Sequence, residues 1–194
     1  MSPARRGRFE PLRFALTELF GLSMMTVIAA VLTAALYMQY DRGELPCPLC
    51  LLQRVAMLGV CFGLMQNFRT GFSDRNTGYS LLFSVFLLIV ASRQTLLDIY
   101  PRPGHEYVGS AVLGLHMPVW SVVIAVALIT AFAIKLCAVG TEDRSSPPPR
   151  NSLLGRAAAA ISLYVIALAL VNFGSVVVQC GLSQCHTTDY ALLK

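Results

Sequence analysis

Charge is what this sequence has least of. Asp, Glu, Lys and Arg make up only 13% of its 194 residues, against 56% hydrophobic residues and a mean hydropathy of +0.64. That balance excludes an ordinary soluble domain, in which about a quarter of residues are charged. A repeat of fixed period is also missing, as is any low-complexity tract beyond Pro147-Pro148-Pro149, so a solenoid is excluded. No convincing small-x-small site follows the first apolar run, which argues for an uncleaved span rather than a secretory leader.

What is present is a series of apolar runs, each close to the ~20 residues that cross a bilayer. They cover residues 19–40, 47–68, 79–100, 118–139 and 157–178. The expected fold is therefore an all-α integral membrane bundle of five spans. Residues 1–18 form an N-terminal flank ending in a short amphipathic segment, 140–156 a proline-rich linker, and 179–194 a tail. A short apolar piece in the 101–117 loop is expected to lie along the membrane surface.

Basic residues orient such a bundle, and the net charge of +5 is read in that sense rather than as an affinity for nucleic acid. One side holds Arg5, Arg6, Arg8 and Arg13, then Arg69 and Arg75, then Lys135, Arg144, Arg150 and Arg156. The other holds only Arg42, Arg102 and Lys194. The N-terminus is expected in the cytoplasm and the C-terminus outside, where disulfides persist.

Two cysteine pairs fall on that outer side. Cys47 and Cys50, in Pro46-Cys47-Pro48-Leu49-Cys50, stand where a polar turn enters the second span. Proline suits a first helical turn, and the free N–H groups and dipole there favour thiolate over thiol. At about 100° per residue, Arg54 lies roughly 40° round from Cys50 and about 20° from Cys47, some 10 Å deeper. A charge at that depth costs at least ~2.5 kcal/mol unless it snorkels or is partnered, which invites a functional reading. Cys180 and Cys185 form the second pair, with His186 beside it as a solvated histidine. The tail pair reads almost equally as a static brace and as an exchanging disulfide. Two thiol pairs on one face suggest a relay, since disulfides move by thiolate attack without any metal.

Cys61 and Cys137 read as small apolar packing residues. Arg93 and Gln94 lie in the third span at about the depth of Arg54, where two arginines could line a pocket for an oxygen-bearing ligand. Arg93 could equally snorkel toward Asp98 or Glu106. Trp120, Tyr40, Tyr79 and Tyr100 read as interface anchors.

Cys47-Pro48-Leu49-Cys50 with Arg54, Leu96-Leu97-Asp98-Ile99-Tyr100-Pro101, and Leu113-Gly114-Leu115-His116-Met117-Pro118 with Trp120 together resemble the DsbB family. The resemblance covers roughly residues 19–139. It implies a four-helix bundle in the bacterial inner membrane, here with a fifth span added. The implied activity passes electrons from a periplasmic DsbA-like thiol oxidase of thioredoxin type to ubiquinone or menaquinone. Carried over, Cys47 and Cys50 are the quinone-coupled pair, Cys50 next to the quinone and Arg54 in contact with it.

Two departures stand out. The loop that carries the family's second cysteine pair has none here, leaving Cys180 and Cys185 as the outside candidates. A histidine that approaches the quinone is replaced by Gln94, beside Arg93. Two rivals remain: a metal carrier using the four outer cysteines, for which His186 is the only extra ligand nearby, and a non-catalytic subunit with a fixed tail disulfide.

Overall fold

The computed structural model describes residues 3–100, 111–139, 147, 149 and 151–181. In chain order these form α1 (Pro3–Asp41), α2 (Pro48–Thr70), α3 (Asp74–Ile99), a hairpin of β1 (Ala111–Val112) and β2 (Leu115–His116), α4 (Met117–Val139) and α5 (Leu153–Cys180). Each helix contains a segment long and apolar enough to cross a membrane, with mean hydropathy from 1.7 for α2 to 2.4 for α4. The protein is an all-α, multi-pass membrane bundle.

The amino-terminal flank is not separate from the first span. Nothing between Leu12 and Asp41 stops a helix, and Gly21 lies where a side chain would press on the Phe68 ring, 3.2 Å away. Helix α5 starts earlier than its apolar run, because Ser152 caps it by accepting the Gly155 N–H at 3.0 Å.

Helices α2 and α3 form the tightest pair. Gly59 and Gly63, four residues apart on one face of α2, let α3 approach. A Cβ at Gly63 would sit 2.4 Å from Ser80 Oγ and 2.7 Å from the Asn76 carbonyl oxygen. The turn between the helices is tied by Asn67 Oδ1, which accepts the Ser73 N–H at 3.2 Å, and by Asn76 Nδ2, which donates to the Gly71 carbonyl at 3.3 Å. Gly63→Ala should therefore destabilise the protein by about 1–3 kcal/mol, because the backbone must shift. A lowered thermal midpoint in detergent would show it; an unchanged midpoint would mean that the pair is looser than it stands.

The core draws on all five helices, with Met25 and Leu32 from α1, Met57 and Val60 from α2, Leu87 from α3, Phe132 from α4 and Leu168 from α5. Large apolar residues such as Leu82, Ile89, Leu163 and Phe173 are exposed, while Gln39, Gln53, Arg54, Gln94, Asn172 and Gln179 are buried. That inversion is the expected one for hydrocarbon solvent, where polar groups turn toward other helices. Lys135 follows it: buried in α4, its Nζ donates to Thr77 Oγ1 at 3.1 Å and lies over the Phe72 ring.

Residues 101–110 of the long loop lie outside the described residues. The rest is a hairpin with a two-residue turn, pairing Ala111 with His116 and Val112 with Leu115. Its central residues, Leu113 and Gly114, have φ of 53° and 78°, the left-handed values a tight hairpin turn requires. Glycine adopts this freely, whereas leucine does so at a cost of about 1–2 kcal/mol.

Candidate active site

Cys47 is the N-cap of α2. Its extended backbone (φ −70°, ψ 161°) turns the sulfur onto the first turn, where it accepts the Cys50 N–H at 3.2 Å. Cys50 follows three residues later, so one helical turn brings the sulfurs together. They stand 2.7 Å apart as free cysteines, inside van der Waals contact and a short movement from the ~2.05 Å of a disulfide.

Gln94 reaches the pair from α3. Its Nε2 donates to Cys47 Sγ at 3.2 Å and to Cys50 Sγ at 3.3 Å, while its Oε1 accepts from Gln53 Nε2 at 2.7 Å. Gln53 thereby orients the amide with its donor toward sulfur. A buried donor shared by two sulfurs favours negative charge on either one.

One turn below Cys50, Arg54 is buried. Its Nη1 donates to Gln39 Oε1 at 2.6 Å and its Nη2 to the Ala35 carbonyl at 3.1 Å, both on α1. These contacts hold the guanidinium in place rather than letting it snorkel. Cys50, Gln53, Arg54 and Met57 form the α2 wall of a cavity of about 380 Å³ between α1 and α4. Ala35 and Met38 face them from α1, Trp120 and Ser121 from α4, and Leu113 from the hairpin. Cys47 and Gln94 do not line this cavity. Of the pair, Cys50 alone lines the cavity.

Cys47, Cys50, Arg54 and Gln94 are thus brought together, but Arg93 is not. One residue from Gln94 is about 100° of rotation. That turn leaves Arg93 exposed on α3 and outside the lining of this cavity, where Arg54 is the arginine present. Gln94 approaches the sulfurs rather than the cavity. Trp120, expected as an interface anchor, is part of the cavity wall. Cys180 is buried and disulfide-bonded at the last residue of α5; Cys185 and His186 lie outside the described residues. Cys61 is buried among core residues and Cys137 is exposed. Among the described residues no third His, Cys, Asp or Glu joins Cys47 and Cys50 in a metal-sized cluster.

Gln39, Gln53 and Gln179 escaped the reading of the sequence. Each is an amide within or beside an apolar run, and that isolation was the available signal. Gln179 Nε2 donates to the Pro46 carbonyl at 2.8 Å, joining α5 to the residue before Cys47.

The family model described as "Disulfide bond formation protein DsbB" matches residues 17–107, which hold the whole α1–α3 side of this site. Three curated relatives are each named disulfide bond formation protein B. That of Cupriavidus metallidurans is 30% identical, the match covering 59% of this chain and 89% of the relative. That of Azoarcus sp. is 33% identical, over 44% of this chain and 58% of its own length. That of Nitrosomonas eutropha is 36% identical, over 42% and 52%. No solved structure matches the chain. With nearly the whole length of one relative matched, and the paired cysteines at the head of α2 inside the family window, the chain belongs to the DsbB family of membrane proteins for disulfide bond formation.

Proposed function

We propose that the protein is a quinone-linked thiol oxidoreductase of the bacterial inner membrane, which reoxidises a periplasmic DsbA-like dithiol oxidase. The observation that carries this reading is Cys50 in the wall of an apolar cavity, one turn from a buried, tethered arginine.

That cavity fits a quinone. Its walls are largely apolar, it is large enough for a substituted ring, and Arg54 offers a charged donor to a carbonyl oxygen. A bound ubiquinone or menaquinone would supply a sink for two electrons and two protons. Arg54 and Trp120 would hold it, with Cys50 as the nearest sulfur of the pair.

The chain's residues account for the thiol steps. A reduced partner opens the tail disulfide of Cys180 and Cys185. A tail thiolate then attacks Cys47 when Cys47 and Cys50 are joined, and Cys50 leaves as thiolate. The helix N–H groups, the Gln94 amide and Arg54 favour that charge. Cys50 lines the cavity, whereas Cys47 is half-buried and outside its lining, which suits it to receive the incoming sulfur. The distribution of basic residues supports an orientation with the Cys47 end and the C-terminus outside and the N-terminus in the cytoplasm.

Ala35→Trp tests the cavity. An indole there should raise the KM for quinone about tenfold or more, equivalent to ~1.4 kcal/mol of lost binding. Attack on the Cys47–Cys50 disulfide by a small dithiol, without quinone, should proceed at its normal rate. A normal quinone KM in Ala35→Trp would rule out this cavity as the acceptor site.

A further inference from the structure

Helix α5 buries a regular stripe, Val165, Leu168, Asn172, Ser175 and Gln179, at alternating spacings of three and four. The stripe changes character along its length. Val165 and Leu168 join the apolar core, but the part nearest Cys47 is polar. There the Ser175 hydroxyl bonds the Tyr40 hydroxyl, and Gln179, fully buried, donates from Nε2 to the Pro46 carbonyl at 2.8 Å. Further down, Thr33 and Tyr164 hydroxyls bond at 2.7 Å. Apolar packing between helices in lipid tolerates sliding and rotation; a directional bond to one carbonyl does not.

The two ends of this last bond are informative. Gln179 precedes Cys180, the disulfide-bonded residue, and Pro46 precedes Cys47. Standard bond lengths then place the Cα atoms of Cys47 and Cys180 no more than about 15 Å apart. Disulfide partners need about 5.5–6 Å, so at this upper limit the two residues must approach by about 9 Å for exchange. Helix α5 ends at this point: Gly181 takes a left-handed φ of 56° and its N–H bonds the Val177 carbonyl at 2.9 Å, so Cys180 is the last helical residue.

We propose that Gln179 is a positioning residue, whose bond to Pro46 docks the end of α5 beside the Cys47–Cys50 turn and so sets the rate of exchange between the two cysteine pairs. This rests on the relay described above. In that exchange the tail dithiol loses two electrons. One tail thiolate attacks Cys47 Sγ as the Cys47–Cys50 bond breaks. The second tail thiolate then attacks the tail sulfur of the mixed disulfide, which re-forms the tail disulfide and releases Cys47. The two protons lost by the tail thiols end on Cys47 and Cys50. Gln179 takes no part in bond making; it raises the local concentration of the reacting sulfurs.

Gln179→Met keeps the length and Gln179→Leu much of the bulk, and each removes both polar atoms. With a reduced thioredoxin-fold dithiol protein as donor, both variants should reduce quinone at least about fivefold more slowly, as the loss of one hydrogen bond allows. With dithiothreitol acting directly on Cys47–Cys50 in a Cys180→Ser, Cys185→Ser background, adding either Gln179 substitution should leave the rate unchanged. The mixed disulfide between Cys47 and the tail, trapped in Cys50→Ser protein and counted by mass spectrometry, should fall in parallel with the protein-driven rate. Equal slowing with both donors would make Gln179 a merely structural residue and overturn the proposal, as would normal rates with both. Full protein-driven turnover in Cys180→Ser would overturn the relay itself, whereas loss there beside normal turnover in Gln179→Met would overturn the docking role alone.

Discussion

Replacing Cys50 with serine should lower quinone-linked turnover by at least about a thousandfold, since a hydroxyl supplies neither the leaving thiolate nor the disulfide that closes the cycle. Serine is nearly isosteric and suits the first turn of α2, so the bundle should retain its thermal midpoint. The lesion should also be informative in its chemistry. Cys47 then remains as a thiol, so its thiolate should attack the tail disulfide, forming a mixed disulfide as one tail sulfur leaves as thiolate, and this species should accumulate for want of Cys50 to resolve it. Quinol formation followed by ultraviolet absorbance, with thiol counting on the trapped species, measures both. Turnover within tenfold of normal would mean that another sulfur faces the acceptor, and among the described residues Cys61 and Cys137 are both outside the cavity lining.

The second large effect concerns Arg54→Met, which keeps length and removes charge. Hydrogen bonds to charged groups are worth about 1.5–3 kcal/mol, so the KM for quinone should rise roughly 10- to 150-fold. Stability should respond differently. Taking a buried charge out of the bundle offsets the loss of its bonds to Gln39 and Ala35, and such exchanges for apolar side chains are often neutral. A large rise in KM with a midpoint that barely moves would identify Arg54 as a ligand-binding group. A collapsed midpoint with normal KM in the surviving fraction would identify it as a structural tie between α1 and α2. Arg54→Lys should fall between, because a single ammonium does not reproduce the two-pronged contact with Gln39 and Ala35.

The order of the spans was legible because hydrocarbon imposes a length and a polarity on every segment crossing it, and those constraints act along the chain. The Cys47, Cys50 and Arg54 face was legible for a similar reason: all three lie on one helix, where periodicity alone sets their angles. Their partners were not. Gln94 and Arg93 are adjacent in sequence and seemed interchangeable as pocket residues; the rotation of α3 against α2, set by close approach at Gly59 and Gly63, sent one to the sulfurs and the other outward.

Local sequence determined the five crossings, the cysteine pair at a helix start and the arginine beneath it, since each depends on neighbours within a few residues. Only the tertiary structure decided that Gln39 holds Arg54, that Gln179 ties α5 to Pro46, and that a cavity lies between α1 and α4 with Trp120 in its wall. Those features depend on how helices distant in sequence rotate and lean against one another, and in lipid that is settled by shape and a few directional hydrogen bonds, which leave no periodic trace in the chain.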